Sequence, residues 1–245
     1  MRIQQQAPVL AALDGGDEDS PHMLSEQVYR SIIRSVGRGQ LGRGTPLRIE
    51  ELARMLNVSP TPVREGLSRL EATGLVVHEP RKGFRVAPPL TAEQFDKLMD
   101  AREILEVGAA ALAVGSRDAG FPAALRQALT VQQSAVDAFI AASDLGTPSE
   151  GVAWAVIDAD LAFHHVIFTR THNPFIGLMA DALNGQSHRV RQSAEHGVSD
   201  SQEALTEHAA IVRAAESGDR QAVESAMRMH LRLVRTRATF EREEV

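Results

Sequence analysis

The sequence predicts a mainly helical chain in two units: a small unit of three helices and a β-hairpin, then a larger all-helical bundle. Three observations predict it. Aromatic residues are only 4% of the 245 residues and alanine is abundant, a balance that favours helix over a β-sandwich. Apolar residues recur at helical spacing from Leu24 almost to the end, interrupted by one strand-like stretch at 75–86. Charge divides the chain in the same way: residues 1–20 carry a net −3, 21–90 carry +5 and 91–245 carry −8. A basic segment beside an acidic remainder predicts two units with different partners, and positive charge gathered in a small unit suits phosphate.

The composition also excludes. There is no cysteine, so disulfides, thiolate zinc sites and cysteine nucleophiles are ruled out, and any metal must use His, Asp or Glu. Hydrophobic residues at 43% and charged residues at 24% are the mix of a folded globular chain. The longest run of small and apolar residues, Val107 to Gly115, is too short to span a bilayer. The N-terminus has one early arginine and a short apolar patch followed by acids, which is not a secretory signal, so a cytoplasmic location is expected.

Residues 1–22 read as a disordered tail, with Gln4-Gln5-Gln6, Gly15-Gly16 and acids and little to bury. The first unit is expected over 23–88. Leu24, Val28, Ile32 and Val36 place a first helix, stopped by Gly37 and Gly39. Gly42, Gly44 and Pro46 mark a loop, and Leu47, Ile49, Leu52 and Leu56 a second, short helix ending near Asn57. Ser59 is placed as an N-cap with Pro60 at the first helical position, and Pro62 is still inside the first turn. Val63, Leu67 and Leu70 form the buried stripe of this third helix, and Gly74 ends it. Leu75–His78 and Phe84–Val86 read as hairpin strands around the turn Glu79-Pro80-Arg81-Lys82-Gly83. Three helices and a hairpin in this order are a winged helix-turn-helix.

Pro88-Pro89 make a stiff linker, and Thr91 with Gln94 forms a capping box that opens the second unit, expected over 91–241. Six helices are predicted there, at about 91–115, 121–142, 150–171, 174–193, 200–217 and 219–241. Asn173-Pro174 caps one of them, and Ser199 with Gln202 makes a second capping box.

A recognition helix reads base edges with its N-terminal residues. Arg64 is the one long donor there that can reach a guanine, and Thr61 can meet a thymine methyl or a phosphate. Arg34, Arg54 and Arg69 on neighbouring helices can grip phosphates. Arg81 and Lys82, with Gly83 for the tight turn, suit a wing tip in the minor groove. The alternative is a solvated basic face with Arg64 paired to an acid.

In the second unit, Asp160 and His164 are four apart and share a helical face. Seven histidines follow residue 90, and a lone helical histidine is more often hydrogen-bonded or exposed than a ligand. His165 points about a third of a turn away from His164.

Leu47 to Pro88 resembles the winged helix-turn-helix of the GntR family of bacterial transcription regulators. The carrying features are the helix end L-x-V-S, T-P-V-R-E-x-L, R-L-x-x-x-G-L-V and K-G-F-x-V. The resemblance implies that Thr61 and Arg64 lie at the bases and Arg34, Arg54 and Gly83 at the DNA surface. Pro60 stands where many members have Arg, which removes one potential contact, and Thr45-Pro46 replaces a frequent Pro-Gly. Residues 91 to about 238 resemble the FCD effector domain of the FadR-type branch, with length suited to its six-helix, VanR-like variant. The features are Ala101-Arg102-Glu103, Leu105-Glu106, "DADLAFHHVIF", His172-Asn173-Pro174, "EHAAIVRAAESGD" and "AMRMHL".

The resemblance implies a divalent cation, Zn²⁺ or Ni²⁺, on Asp160, His164, His208 and His230. It also implies a small organic-acid effector whose carboxylate pairs with Arg102; the plain alternative is an Arg102 salt bridge to Asp158, Asp160 or Glu106. Asn173 and Trp154 read as a cap and a core or interface residue, while His188, Arg189 and Arg191 could line the pocket or face water. The expected whole is a ligand-responsive repressor that binds a pseudopalindromic operator in double-stranded DNA as a homodimer. The competing readings are a metal-dependent hydrolase and a regulator whose metal is purely structural. No H-E-x-x-H, nucleophile elbow or phosphate-cradling glycine loop supports the hydrolase.

Overall fold

Helical periodicity and chain punctuation build two compact units in a computed structural model, one of residues 1–89 with 185–192 and one of 90–184 with 193–245. The structure describes residues 21–37, 40–88, 90–116, 118–146, 150–191 and 200–243. Of the tail expected at 1–22, residues 1–20 lie outside these, as does the capping residue Ser199, while residues 21 and 22 open the first helix instead, with proline in its first turn.

The first unit contains α1 (Pro21–Gly37), β1 (Pro46–Leu47), α2 (Ile49–Leu56), α3 (Pro60–Ala72), β2 (Val76–Glu79) and β3 (Gly83–Val86). Val28, Ile32 and Val36 of α1 meet Leu52 and Leu56 of α2 and Val63, Leu67 and Leu70 of α3 in one core, closed by Leu75, Val76, Phe84 and Val86. α3 lies so close to α1 that a Cβ on Gly66 would sit 2.9 Å from Val28 Cγ1 and 3.2 Å from the Ser25 carbonyl oxygen. Asn57 ends α2 in the left-handed conformation, where a short polar side chain is tolerated.

Two local details differ from expectation. The segment read as loop and helix start contains a third strand, because Pro46 and Leu47 pair antiparallel with Arg85 and Phe84 in the sheet order β1-β3-β2. Two residues are too few to show an alternating pattern, and their pairing partners lie 39 and 37 residues away. Ser59 has the extended backbone of an N-cap, but its side chain makes no capping bond. Pro60 occupies N1 and Pro62 follows in the same turn, so two of the first backbone donors are missing there.

The second unit contains α4 (Ala92–Gly115), α5 (Phe121–Asp144), α6 (Glu150–Thr169), α7 (Pro174–Arg191) as far as residue 184, α8 (Ser201–Ser217) and α9 (Arg220–Glu243). These are six helices among the described residues. The Thr91–Gln94 box forms as expected, with the Gln94 amide donating to Thr91 Oγ1 and the Thr91 amide to Gln94 Oε1. Asn173 Oδ1 accepts from the Phe175 amide at 3.0 Å, so Asn173 is a cap, and Trp154 is buried.

In the core α4 packs on α9 and α6, α5 on α6 and α8, and α8 on α9. The buried stripes read along each helix as Val156, Asp160, Phe163, His164 and Ile167 on α6, Leu205, His208, Ile211 and Val212 on α8, and Val223, Met227, His230 and Leu231 on α9. Titratable residues thus occupy core positions. α6 is apolar enough over Gly151–Thr169 to cross a membrane by length and composition, but half of that stretch is buried and it carries Asp158 and Asp160.

Candidate metal centre and nucleic-acid interface

The helical spacing that buries His164, His208 and His230 also aims them at one point. One ring nitrogen from each lies within 4.8 Å of the others. His164 and His208 stand edge to face with centroids 5.1 Å apart, and His208 and His230 are 4.6 Å apart. Phe163 stacks on His208 at 4.0 Å, an apolar plate that fixes the ring plane.

Each imidazole has a tether on another helix. His164 Nδ1 lies 2.6 Å from Glu106 Oε2 of α4, an ion-pair contact in which the N–H is turned off the line to the oxygen. His208 Nδ1 is 2.6 Å from Gln132 Oε1 of α5, and His230 Nδ1 is 2.7 Å from Glu207 Oε2 of α8. The amide end of Gln132 donates to Asp160 Oδ1 at 3.2 Å. Carbonyl and carboxylate oxygens accept, so the tethers of His208 and His230 place their ring protons on Nδ1 and leave their Nε2 lone pairs for the centre, and the carboxylate beside His164 Nδ1 favours the same tautomer there. The Nε2 atoms of His164 and His230 are buried and have no hydrogen-bond partner. An orphaned buried acceptor costs about 1–3 kcal/mol, so the fold carries this expense twice at one point. That arrangement fits a divalent cation with imidazole ligands.

Burial would raise the Glu106 carboxyl, but the Arg102 charge, followed by His164, overcomes this and brings it down to about 2. Burial likewise lowers His230, and the Glu207 carboxylate only partly offsets that, so His230 is held neutral, as a metal ligand must be. Glu207 is also shifted down: burial opposes ionisation, and hydrogen bonds from His230 and Arg237 outweigh it.

The four residues expected as ligands are treated differently. The three histidines converge. Asp160 stands beside them, with Oδ1 3.9 Å from His208 Nε2, and its carboxylate is engaged by Gln132. His165 is exposed, and the side chains of His188, Arg189 and Arg191 lie outside the described residues. Arg102 donates from Nε to Glu106 Oε1 at 2.6 Å, which is the salt-bridge alternative. Gln132 and Glu207 were not singled out in the sequence. Gln132 had a signal, since it falls on the stripe Phe121, Leu125, Gln132 and Val136, where a polar residue needs a reason. Among the described residues the tethered cluster joins α4, α5, α6, α8 and α9, and α7 contributes nothing to it.

In the first unit α3 buries Pro62, Val63, Gly66, Leu67 and Leu70, which leaves Thr61, Arg64, Glu65 and Arg69 exposed on the other side. Arg64, Arg34, Arg54 and Arg81 are exposed and make no ion pair among the described residues. Arg54 borders a cleft of about 540 Å³ with Asn57, Ser59 and Pro60, at the start of α3. Arg69 is committed elsewhere: it pairs with Glu26 at 2.7 Å and lies over the Tyr29 ring at 4.5 Å. Lys82 pairs with Glu79 at 2.9 Å. The wing turn is closed by two left-handed residues, Arg81 at φ 68° and Gly83 at φ 78°, so the glycine there has a backbone reason.

Residues 97–233 match the FCD domain family, and residues 24–86 match the bacterial regulatory proteins of the gntR family. An HTH-type transcriptional regulator of Bacillus subtilis, YdhC, is 24% identical over 214 residues, 87% of this chain and 89% of its own. The HTH-type transcriptional repressor RspR of Escherichia coli is 26% identical, over 85% and 86% of the two chains. Among solved structures, E. coli McbR/YncC superposes with a TM-score of 0.69 at 22% identity, covering 89% of this chain and 98% of that one.

Proposed function

This chain belongs to the gntR family of bacterial regulatory proteins and carries an FCD domain, and we propose that this DNA-binding transcriptional regulator is a metal-containing, effector-responsive repressor. We assign it to the six-helix, VanR-like form and to the cytoplasm. As a homodimer it binds a pseudopalindromic operator, placing one α3 in each major-groove half-site. Thr61 and Arg64 meet the bases there. Arg34, Arg54 and the wing residues Arg81, Lys82 and Gly83 lie along the backbone and minor groove, with Arg69 behind them.

The effector domain holds a divalent cation, Zn²⁺ or Ni²⁺, on His164, His208 and His230 with Asp160 completing the set. When bound, the cation supplies a Lewis-acidic point for a carboxylate effector. The chain's own residues do the rest: Glu106, Gln132 and Glu207 orient the imidazoles, and Arg102 presents the remainder of its guanidinium beside the centre. The carrying observation is the pair of buried, partnerless Nε2 atoms at the meeting point of three histidines.

The Arg102–Glu106 pair favours a second reading, in which the cation only staples the bundle and the effector binds independently of it. Metal content of untagged protein, by mass spectrometry, tests the first reading for wild type and Asp160→Ala. Near-stoichiometric metal that falls in the variant supports it, and none after reloading refutes it. Effector affinity with and without chelator then separates sensing from stapling, because a carboxylate bound through the metal is lost on chelation.

A further inference from the structure

The motif E-H at 207–208 contains a residue that orients a ligand of the metal reading without touching the ion, and what holds that residue has no part in the reading so far. Glu207 and His208 are neighbours on α8 but turn to opposite tasks. His208 enters the cluster, while Glu207 reaches the imidazole of His230 on α9. The Glu207 carboxylate is itself clamped. Arg237 Nη1 donates to Oε1 at 2.6 Å and Nη2 to Oε2 at 3.2 Å, the two-pronged geometry that an arginine gives a carboxylate. Arg237 Nε reaches further, to Asp200 Oδ2 at 3.0 Å, and Asp200 is the residue on which α8 begins. Arg237 lies seven residues beyond His230, two turns along the same face of α9.

We infer that Glu207 and Arg237 are positioning residues for the metal centre: Arg237 fixes the Glu207 carboxylate, which accepts the His230 Nδ1 proton and so keeps the Nε2 lone pair turned to the ion. The inference rests on the metal reading above and extends it, through Glu207, to Arg237, which touches neither the ion nor a ligand. An ionised carboxylate can only accept, so Glu207 permits one tautomer of His230. Without the guanidinium, the carboxylate is free to swing toward water, and the imidazole loses both its orientation and the added basicity that an anionic partner gives a ligand. Arg237 acts at a distance, through one intervening side chain. Asp200 anchors the far end, which ties the orientation of the His230 imidazole to the N-cap position of α8.

The test uses the full chain and Zn²⁺ alone as the probe. Zinc affinity is measured by competition with a chromophoric chelator for wild type, Glu207→Gln, Arg237→Lys and Arg237→Met. Thermal unfolding of the metal-free forms runs beside it. Glu207→Gln and Arg237→Met are expected to weaken zinc binding roughly 10–100-fold, and Arg237→Lys, which keeps the charge but not the fork, by less. Variants that hold zinc as tightly as wild type overturn the inference, whatever their stability. A second readout needs no metal. Long-range ¹H–¹⁵N spectra of metal-free wild type are expected to show His230 as the Nδ1–H tautomer, with that preference reduced in Glu207→Gln. An Nε2–H tautomer in wild type overturns the inference even if every variant unfolds. Wild type that binds no zinc refutes the metal reading instead, and the tautomer still decides the positioning.

Discussion

Replacing Glu106 by glutamine keeps the shape of the side chain and removes its charge. Glu106 is 3% exposed and is shared by Arg102 and His164, each at 2.6 Å. Its carboxyl is brought from an ordinary 4.5 down to about 2 against the opposing effect of burial. A drop of that size corresponds to about 3 kcal/mol of native-state stabilisation at neutral pH. Breaking a buried ion pair by removing one partner costs roughly 3–5 kcal/mol, so two independent routes give the same magnitude. The folded value lies below the unfolded one. The stabilisation is therefore fully present above pH 4.5 and is lost as pH falls toward 2, with more than half gone by about pH 3.

Thermal and urea unfolding in chelator, followed by circular dichroism, is the assay. Glu106→Gln is expected to lower Tm at pH 7 by about 6–12 °C, given roughly 2–4 °C per kcal/mol for a domain of this size. The gap between the proteins should close as pH drops from 5 to 3. A difference below about 1 kcal/mol at pH 7, or one that does not change with pH, would refute the reasoning.

Other outcomes follow from the first unit and from the metal. Gly66→Ala gains about 1 kcal/mol of helix propensity but forces α1 and α3 apart at a cost of roughly 1–3 kcal/mol, so a modest fall in Tm is expected and a rise would show that α1 gives way. Arg64→Ala should lose about 1–3 kcal/mol of discrimination at one base position per half-site, read by competition with single-base operator variants; unchanged specificity would remove Arg64 from the base-reading set. Arg34→Ala should reduce the slope of log K against log salt by about one per protomer, while Arg69→Ala, already committed to Glu26 and Tyr29, should leave it nearly unchanged. A rise in Tm of roughly 5–11 °C is expected for wild type at a zinc concentration 100 times Kd, and none for His208→Ala.

Local rules made much of the fold readable. The T-P-V-R run and the Thr91–Gln94 box each act within a few residues, and each forms in the structure. The short strand β1 was not readable, because its identity depends on pairing with Arg85 and Phe84 rather than on its own pattern. Ser59 has the chemistry of a cap without the bond.

For the centre, periodicity placed Asp160 and His164 on one face, but nothing in spacing brings His208 and His230 to them across 44 and 66 residues. The family resemblance supplied those two. Neither route gave the tethers, since Gln132 and Glu207 take their meaning from imidazoles on other helices. Arg102 shows the same limit: three acids were within reach on paper, and only packing selects Glu106.

Among the described residues the polar braces of the effector unit link five helices and leave out α7. Opening any of the five would strip a buried polar contact from an imidazole, whereas α7 can detach at its Pro174 end without breaking one of them. Phe175, Leu178 and Met179 on its first two turns are already more than half exposed, so little apolar area holds that end down. In energetic terms α7 is a separate cooperative unit beside a cross-linked block. Amide exchange along its first turns should report a local equilibrium that is independent of how firmly the other helices are held, and a metal that tightens the block would leave that exchange where it was.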